Sequence, residues 1–246
     1  MPKHAVSIFY PCFNDWGTIG SMVLLTIETA QRLDIDYDLT IVDDGSEDRT
    51  LAVLDEIAEC FPEVRIIRHD KNRGYGGALR TGFSAARKEW IFYTDGDAQY
   101  DVRELELLLA QAGPGVDLVQ GYKIQRNDPL HRIIIGRIYH WVVKLAFGLP
   151  VRDTDCDFRL LRSGMFDTFE LNSTSGTICA ELMKKIHRGG YRIVEVPVHH
   201  YERSFGKSQF FNFPRLLRVA KQLIQLWLRE VVFYRPEKER KDTESP

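Results

Sequence analysis

Short apolar runs rich in Val, Ile and aromatic residues alternate with longer stretches of helical period along the first half of the chain. Val6–Pro11, Leu39–Asp43, Val64–Arg68, Trp90–Thr94 and Val116–Gln120 read as strands. Between them Thr18–Leu33, Thr50–Cys60, Gly76–Arg87 and Val102–Gln111 read as helices, with Asp48 near the start of the second. Strands apolar on both faces and separated by helices predict an α/β fold: a mostly parallel central sheet with helices on both faces. Such sheets bind ligands at the carboxyl ends of their strands, so the residues just after each strand carry the functional information.

The second half is less regular. Ile133–Leu149 and Gly176–Arg188 read as helices, Phe158–Arg162 and Arg192–Val196 as strands, the latter ended by Pro197. A long helix is predicted from Pro214 to about Tyr234, and the charged tail from Pro236 to Pro246, without apolar anchors, is expected to be disordered. The predicted organisation is one domain over 1–209, in halves 1–121 and 122–209, then an amphipathic helical segment over 210–235 and a tail over 236–246. The sequence has no internal repeat.

The chain has 246 residues, 44% hydrophobic and 28% charged, which excludes wholesale disorder. A formal charge of −2 argues against a globally basic nucleic-acid binder. That total hides an asymmetry: residues 1–121 carry 11 Lys/Arg against 21 Asp/Glu, and residues 122–246 carry 22 against 14. Cys12, Cys60, Cys156 and Cys179 are scattered without a C-x-x-C pair, which fits reduced thiols in a cytosolic compartment. Met1-Pro2-Lys3-His4 runs straight into the first strand, so no signal peptide is expected, and Asn172-Ser173-Thr174 is a coincidental sequon. No uncharged apolar run approaches the roughly 18 residues of a membrane span, so any membrane contact is expected from the surface.

Three strands end in acidic turns. They are Pro11-Cys12-Phe13-Asn14-Asp15, Asp43-Asp44-Gly45-Ser46-Glu47-Asp48 and Asp95-Gly96-Asp97-Ala98-Gln99. One such turn would mean little, because Asp is common in turns; three on one sheet edge point to a site. Asp95 and Asp97, two residues apart, offer hard oxygens to Mg²⁺ or Mn²⁺, which take their other ligands from water and substrate phosphates. Taken alone, D-x-D also fits a solvated loop. Lys71-Asn72-Arg73-Gly74-Tyr75-Gly76-Gly77 is glycine-rich but is neither a dinucleotide fingerprint, since position 79 is Leu79, nor a P-loop. It fits a tight helix start as well as close backbone approach to a substrate, with Arg73 available to a phosphate.

In Ile133–Phe147 the polar residues Arg137, His140 and Lys144 fall within an arc of roughly 60°, and the rest of the helix is apolar. Arg132 and Arg137 are candidate phosphate holders. In the last helix Arg215, Arg218, Lys221, Gln222, Gln225 and Arg229 share one side, while Leu216, Leu217, Leu223, Ile224, Trp227 and Val231 share the other. Each pattern alone fits core packing. Together with Phe210, Phe211, Phe213 and the basic second half they point to interfacial membrane binding. His199 and His200 are adjacent in a strand and face opposite ways, so they cannot both ligate one metal; packing or surface roles are expected.

In this order the motifs resemble those of family 2 glycosyltransferases of GT-A fold, and more closely the branch with dolichol-phosphate mannosyltransferase and bacterial polyprenyl-phosphate glycosyltransferases. The resemblance covers about Val6 to Phe233. It implies that Pro11, Phe13, Asp15, Val42, Asp43 and Asp44, with the D-D-G-S turn ending at Ser46, form the nucleoside pocket. It implies that Asp95 and Asp97, with Gly96 between them and Gln99 beyond, hold a divalent metal and the sugar-nucleotide diphosphate. An Arg-x-x-Gly-x-Ser segment, here Arg203, Gly206 and Ser208, would close over the phosphates, with Lys123, Arg132, Arg137 and Lys207 as further phosphate-handling cations. Departures are Phe13 for Tyr, Asp15 for Glu, Lys123 for Arg and Gln209 for Lys, the last beside Lys207, and two extra carboxylates in Asp155-Cys156-Asp157-Phe158-Arg159.

The implied activity is metal-dependent, inverting transfer of a hexose-type sugar from a GDP- or UDP-sugar to a polyprenyl or dolichyl phosphate, by a peripheral protein on the cytoplasmic membrane face. Halves 1–121 and 122–209 would bind donor and acceptor. Asp97, Arg203 and Glu181 are the candidate catalytic residues; a homo-oligomer or a membrane-protein partner is also implied, and a nucleic acid is not. A lipid phosphate is already anionic and needs no base, whereas a hydroxyl acceptor would need one, and Glu181 lies where hydroxyl-acceptor relatives carry it. Under the lipid-phosphate reading Glu181 is instead a structural or positioning carboxylate. Aspartyl phosphatases also use D-x-D, but after the first strand; a membrane-surface scaffold is the non-enzymatic alternative.

Overall fold

Along the first strand Val6, Ile8 and Tyr10 are buried on one side while Phe9 is buried on the other, so this strand lies inside a sheet covered on both faces. The computed structural model describes residues 4–126, 130–203, 205 and 213–234. In chain order the strands are β1 (Ala5–Cys12), β2 (Asp36–Asp43), β3 (Val64–Arg68), β4 (Trp90–Tyr93), β5 (Leu118–Arg126), β6 (Arg159–Arg162) and β7 (Ile193–His200). They form one sheet in the order β3-β2-β1-β4-β6-β5-β7. All pairings are parallel except those of β6, which runs antiparallel between β4 and β5.

The helices are α1 (Ile19–Arg32), α2 (Thr50–Cys60), α3 (Tyr75–Ala85), α4 (Leu105–Leu109), α5 (Leu130–Phe147), α6 (Thr177–Arg188) and α7 (Phe213–Trp227). One core layer joins α1, α2 and α4 to the Val6, Ile8 and Tyr10 face; the other joins α3, α5, α6 and Leu226 of α7 to the Phe9 face. Asp48 lies where the sequence places it, its Oδ1 accepting the Thr50 N–H at 2.8 Å as α2 starts. The helix expected over Val102–Gln111 divides into a 3₁₀ turn, Val102–Glu104, and the short α4.

Two strands run further than the sequence predicts. β7 does not stop at Pro197 but continues to His200, with Pro197 paired opposite Tyr122. β7 is the last strand of the sheet, and an edge strand tolerates a residue without an N–H. Its partner β5 continues to Arg126 through a register irregularity between Lys123 and Arg126, and so carries Lys123 on a strand. The last helix is also interrupted: α7 ends at Trp227 and passes into a π turn, Leu228–Val232.

The topology places the site. β1, β2 and β4 are parallel neighbours, so the three acidic turns emerge on one edge. The chain winds from β1 outward to β3 and then returns to the opposite side of β1 at β4. The β1/β4 boundary is therefore the switch point where a crevice opens in sheets of this kind.

Candidate active site

The turns after β1 and β2 lock together. Asp43 Oδ1 accepts the Ser46 N–H at 3.0 Å, Ser46 Oγ accepts the Asn14 N–H at 3.0 Å, and Asn14 Oδ1 accepts the Glu47 N–H at 3.0 Å. Gly45 has φ +73°, and a Cβ there would lie 2.8 Å from the Asn72 nitrogen, so both conformation and space demand glycine. Asp44 is buried; its Oδ1 accepts the Arg73 N–H at 2.8 Å and lies 2.7 Å from His69 Nδ1. His69 Nε2 in turn lies 2.9 Å from Thr81 Oγ1. Asp44 thus anchors the glycine-rich turn with His69, a residue the sequence analysis did not single out. Val42 and Pro11 are buried at the same strand ends, and Phe13 is half-buried beside them, its N–H donating to Asp15 Oδ2 at 3.1 Å.

Across the switch point the Asp95–Gln99 turn packs against the β1 turn. Thr18 Oγ1 reaches the carbonyls of Gly96 at 2.8 Å and Asp15 at 3.1 Å, and a Cβ on Gly96 would come within 2.9 Å of the Pro11 carbonyl. Asp95 Oδ1 accepts the Tyr75 hydroxyl at 2.7 Å. Asp97, buried, accepts the Gln99 N–H through Oδ1 at 3.1 Å and Arg203 Nη2 through Oδ2 at 2.6 Å. The Gln99 side chain fastens the same returning segment, its Nε2 donating to the Tyr201 carbonyl at 3.0 Å while Tyr201 N–H donates to Gln99 O at 2.8 Å. Phe205 caps this closure: its ring lies 4.4 Å from that of Trp16.

The crevice concentrates negative charge. Burial, then the neighbouring Asp157 and Asp97, push the Asp95 carboxyl well above the usual carboxylate range. Burial raises Asp15 to about 6, against the pull of the Phe13 N–H and Arg203. Carboxylates crowded this way are stabilised by an added cation. Among the described residues no group of three or more His, Cys, Asp or Glu forms a self-contained metal cage. The Asp95–Asp97 pair instead fits a Mg²⁺ or Mn²⁺ that draws its remaining ligands from water and a diphosphate.

Other residues singled out from sequence fall elsewhere. Lys123 is nearly buried and committed to the loop after Leu149, with Nζ 2.9 Å from the Asp155 carbonyl and 3.6 Å from Asp153 Oδ2. Asp155 is raised to about 7, chiefly by burial. Asp157, by contrast, borders the crevice beside Asp95, its Oδ1 accepting from the buried Arg159 Nη1 at 2.7 Å and from Cys179 Sγ at 3.1 Å. Arg132 and Arg137 belong to α5, with side chains outside the described residues, and Gly206, Lys207, Ser208, Gln209, Phe210 and Phe211 lie outside them as well. His199 pairs with Glu104, and the His200 ring packs 5.1 Å from that of Tyr100, so both have packing partners.

Glu181 is fully buried and filled with donors. Its oxygens accept from Lys185 Nζ at 2.8 Å, Arg229 Nη2 at 2.8 Å, Ser173 N–H at 2.7 Å and Asn172 N–H at 3.1 Å. Burial disfavours its charge, yet the hydrogen bonds from Lys185 and Ser173 hold its carboxyl below the usual range. That is the opposite of what a general base needs at neutral pH.

The apolar faces of α5 and α7 divide. Val143 and Phe147 are core, whereas Ile138, Trp141, Val142 and Leu145 are exposed, the last at 74%. Trp227, expected on the lipid-facing side, instead packs on the core and donates Nε1–H to the Ala146 carbonyl at 2.9 Å. Leu217, Ile224 and Val231 are exposed. No helix among the described residues is long and apolar enough to cross a membrane.

Residues 7–169 match the model of glycosyl transferase family 2. The chain is 30% identical over 223 residues to an undecaprenyl-phosphate 4-deoxy-4-formamido-L-arabinose transferase of Enterobacter sp. (strain 638), spanning 90% of this chain and 67% of that one. Glucosyl-3-phosphoglycerate synthase from Mycobacterium tuberculosis, in complex with phosphoglyceric acid, superimposes with a TM-score of 0.70 at 17% identity, covering 95% of this chain and 82% of that one. The same synthase with Mn²⁺, uridine diphosphate and phosphoglyceric acid gives 0.68 at 17% identity, over 92% and 78%. The fold is GT-A, and the chain belongs to glycosyl transferase family 2. It is a glycosyltransferase.

Proposed function

We propose that this protein transfers a hexose-type sugar from a nucleotide sugar, GDP- or UDP-linked, to a polyprenyl phosphate, with inversion and with a divalent cation. The observation that carries the reading is the Asp95–Asp97 turn at the switch-point crevice, with the Arg203 guanidinium 2.6 Å from Asp97. Donor hydrolysis or transfer builds negative charge on a departing diphosphate, and charge stabilisation there is the main catalytic demand. Bound Mg²⁺ or Mn²⁺ would supply Lewis-acid stabilisation of that diphosphate. Asp95 and Asp97 would hold the ion with Gln99 beside them; Arg203 and Lys207 would share the diphosphate charge. Pro11, Phe13, Asp15, Val42, Asp43, Asp44 and Gly96 would shape the donor pocket.

The acceptor reading draws on the Enterobacter relative, whose name specifies undecaprenyl phosphate. An anionic phosphate needs cations rather than a base, and Arg132 and Arg137 are assigned to it; Lys123, held by Asp153 and Asp155, is not. Attack from the face opposite the diphosphate inverts the anomeric carbon. Glu181 is then a positioning carboxylate; the hydroxyl-acceptor alternative, with Glu181 as base, is disfavoured by the donors that fill it. The exposed Ile138, Trp141, Val142 and Leu145, with α7, would rest on the cytoplasmic face of the membrane. The test is a panel of nucleotide sugars against a short-chain polyprenyl phosphate, with the product anomer read by NMR. A glycosyl phosphate lipid of inverted configuration supports the reading; transfer only to hydroxyl acceptors refutes it.

A further inference from the structure

Glu181 joins the C-terminal segment to the loop that precedes α6. On one side it accepts from Arg229, in the π turn that follows α7; on the other it accepts the Ser173 N–H. Arg229 Nε and Arg188 Nη1 both donate to the buried Glu230 at 2.9 Å, so two buried carboxylates and the cations Lys185, Arg188 and Arg229 fasten this turn to α6. Turns of this type recur at functional sites.

Beyond Ser173 the loop lies directly on the glycine-rich turn. The Gly76 N–H donates to the Thr174 carbonyl at 3.0 Å. A Cβ on Gly74 would fall 2.3 Å from Thr174 O and one on Gly76 the same distance from Ser173 O, so the two backbones have no slack between them. Tyr75, between those glycines, donates its hydroxyl to Asp95 Oδ1. An unbroken series of contacts therefore runs from Arg229 through Glu181, Ser173–Thr174 and Tyr75 to Asp95.

We propose that Tyr75 and Glu181 are positioning residues that tie the seat of the C-terminal segment to the orientation of the Asp95 carboxylate. This rests on reading Asp95 as a metal ligand. A ligating carboxylate is aimed by its other hydrogen bond, and loss of such a partner typically costs 10–100-fold in metal affinity or activity. The segment so coupled carries the exposed Val231, Val232 and Phe233, so whatever seats that face is felt at the metal motif.

The test is Mn²⁺ binding, with UDP or GDP present, followed by the loss of the free-Mn²⁺ EPR signal in wild type, Tyr75→Phe, Glu181→Gln, Arg229→Leu and the pairwise doubles. Amide exchange at Ser173 and Gly76 is measured alongside. Each single variant is expected to weaken Mn²⁺ binding about tenfold, and the doubles no further than the weaker single, because all three act along one route. Arg229→Leu is expected to speed exchange at Ser173 and Gly76 while the melting temperature stays within a few degrees. If Glu181→Gln fails to fold, the Tyr75→Phe and Arg229→Leu pair makes the same measurement. Additive effects, or unchanged Mn²⁺ affinity in variants of a metal-binding wild type, overturn the relay and leave the transferase reading standing. A wild type that binds no Mn²⁺ with either nucleotide overturns both.

Discussion

Arg203 returns across 106 positions of chain to place its Nη2 2.6 Å from Asp97 Oδ2, setting a fixed cation against the D-x-D turn. If Arg203 neutralises the leaving diphosphate, as proposed, it matters more to the rate than to donor capture. Arg203→Ala is expected to lower kcat by about 10²–10³, the scale of losing one transition-state charge donor, with donor KM shifted only severalfold. Arg203→Lys, which keeps the charge without the planar fork, should fall between. Steady-state kinetics of the three proteins measure this; a pure KM effect would assign Arg203 to ground-state binding.

Asp97 is buried, and among the described residues it accepts hydrogen bonds from the Gln99 N–H and Arg203. Asp97→Ala is expected to leave the thermal melt near wild type and to reduce donor affinity in Mn²⁺ to its metal-free value. Calorimetric titration with and without Mn²⁺ distinguishes the two cases. Unchanged metal-dependent affinity would remove Asp97 from the metal site.

Glu181 gives a pH signature. Its folded carboxyl lies below its ordinary value, so it adds stability above the unfolded pKa of about 4.3, and that stability is lost as pH falls through the folded value. Between about pH 5 and pH 3 the melting temperature of wild type should therefore drop more steeply than that of Glu181→Gln. At neutral pH the same variant should lose no more than about tenfold in kcat, the low end of an outer-shell effect. A loss beyond about 10³-fold in a well-folded variant would point to a general base and a hydroxyl acceptor.

Trp141 and Leu145 project from α5 at 55% and 74% exposure, with Lys144 Nζ 5.7 Å from the Trp141 ring. Wild type is expected to co-sediment with vesicles containing anionic lipid. Trp141→Glu and Leu145→Glu should each weaken that binding by about tenfold or more, since each removes an exposed apolar side chain that would enter the lipid and adds a charge that anionic lipid repels. Equal sedimentation of all three would place these residues outside the membrane contact.

Much of the fold was legible because its signals are local. Val- and Ile-rich runs separated by helical periods forecast the parallel order, and the three acidic turns share one edge because β2, β1 and β4 are neighbours. What escaped depends on distant partners. Pro197 reads as a stop only until β7 is known to be an edge strand. Trp227 has the spacing of a lipid-facing residue, but the carbonyl that takes its N–H lies 81 positions away. Tyr75 sits unremarked inside the glycine-rich run and His69 outside any motif; their contacts appear only when the fold brings them against Asp95 and Asp44. Glu181 was readable only as a candidate, and its surroundings turn on Arg229, 48 positions on.

The account's central claim is that the Asp95–Asp97 pair works through a divalent cation on a departing diphosphate. The most direct measurement is transfer of labelled sugar to a short-chain polyprenyl phosphate, assayed by mass spectrometry in Mg²⁺, in Mn²⁺ and after exhaustive chelation. The glycolipid should form with either metal, vanish on chelation and return when metal is restored. Undiminished product in the chelated sample would contradict the claim.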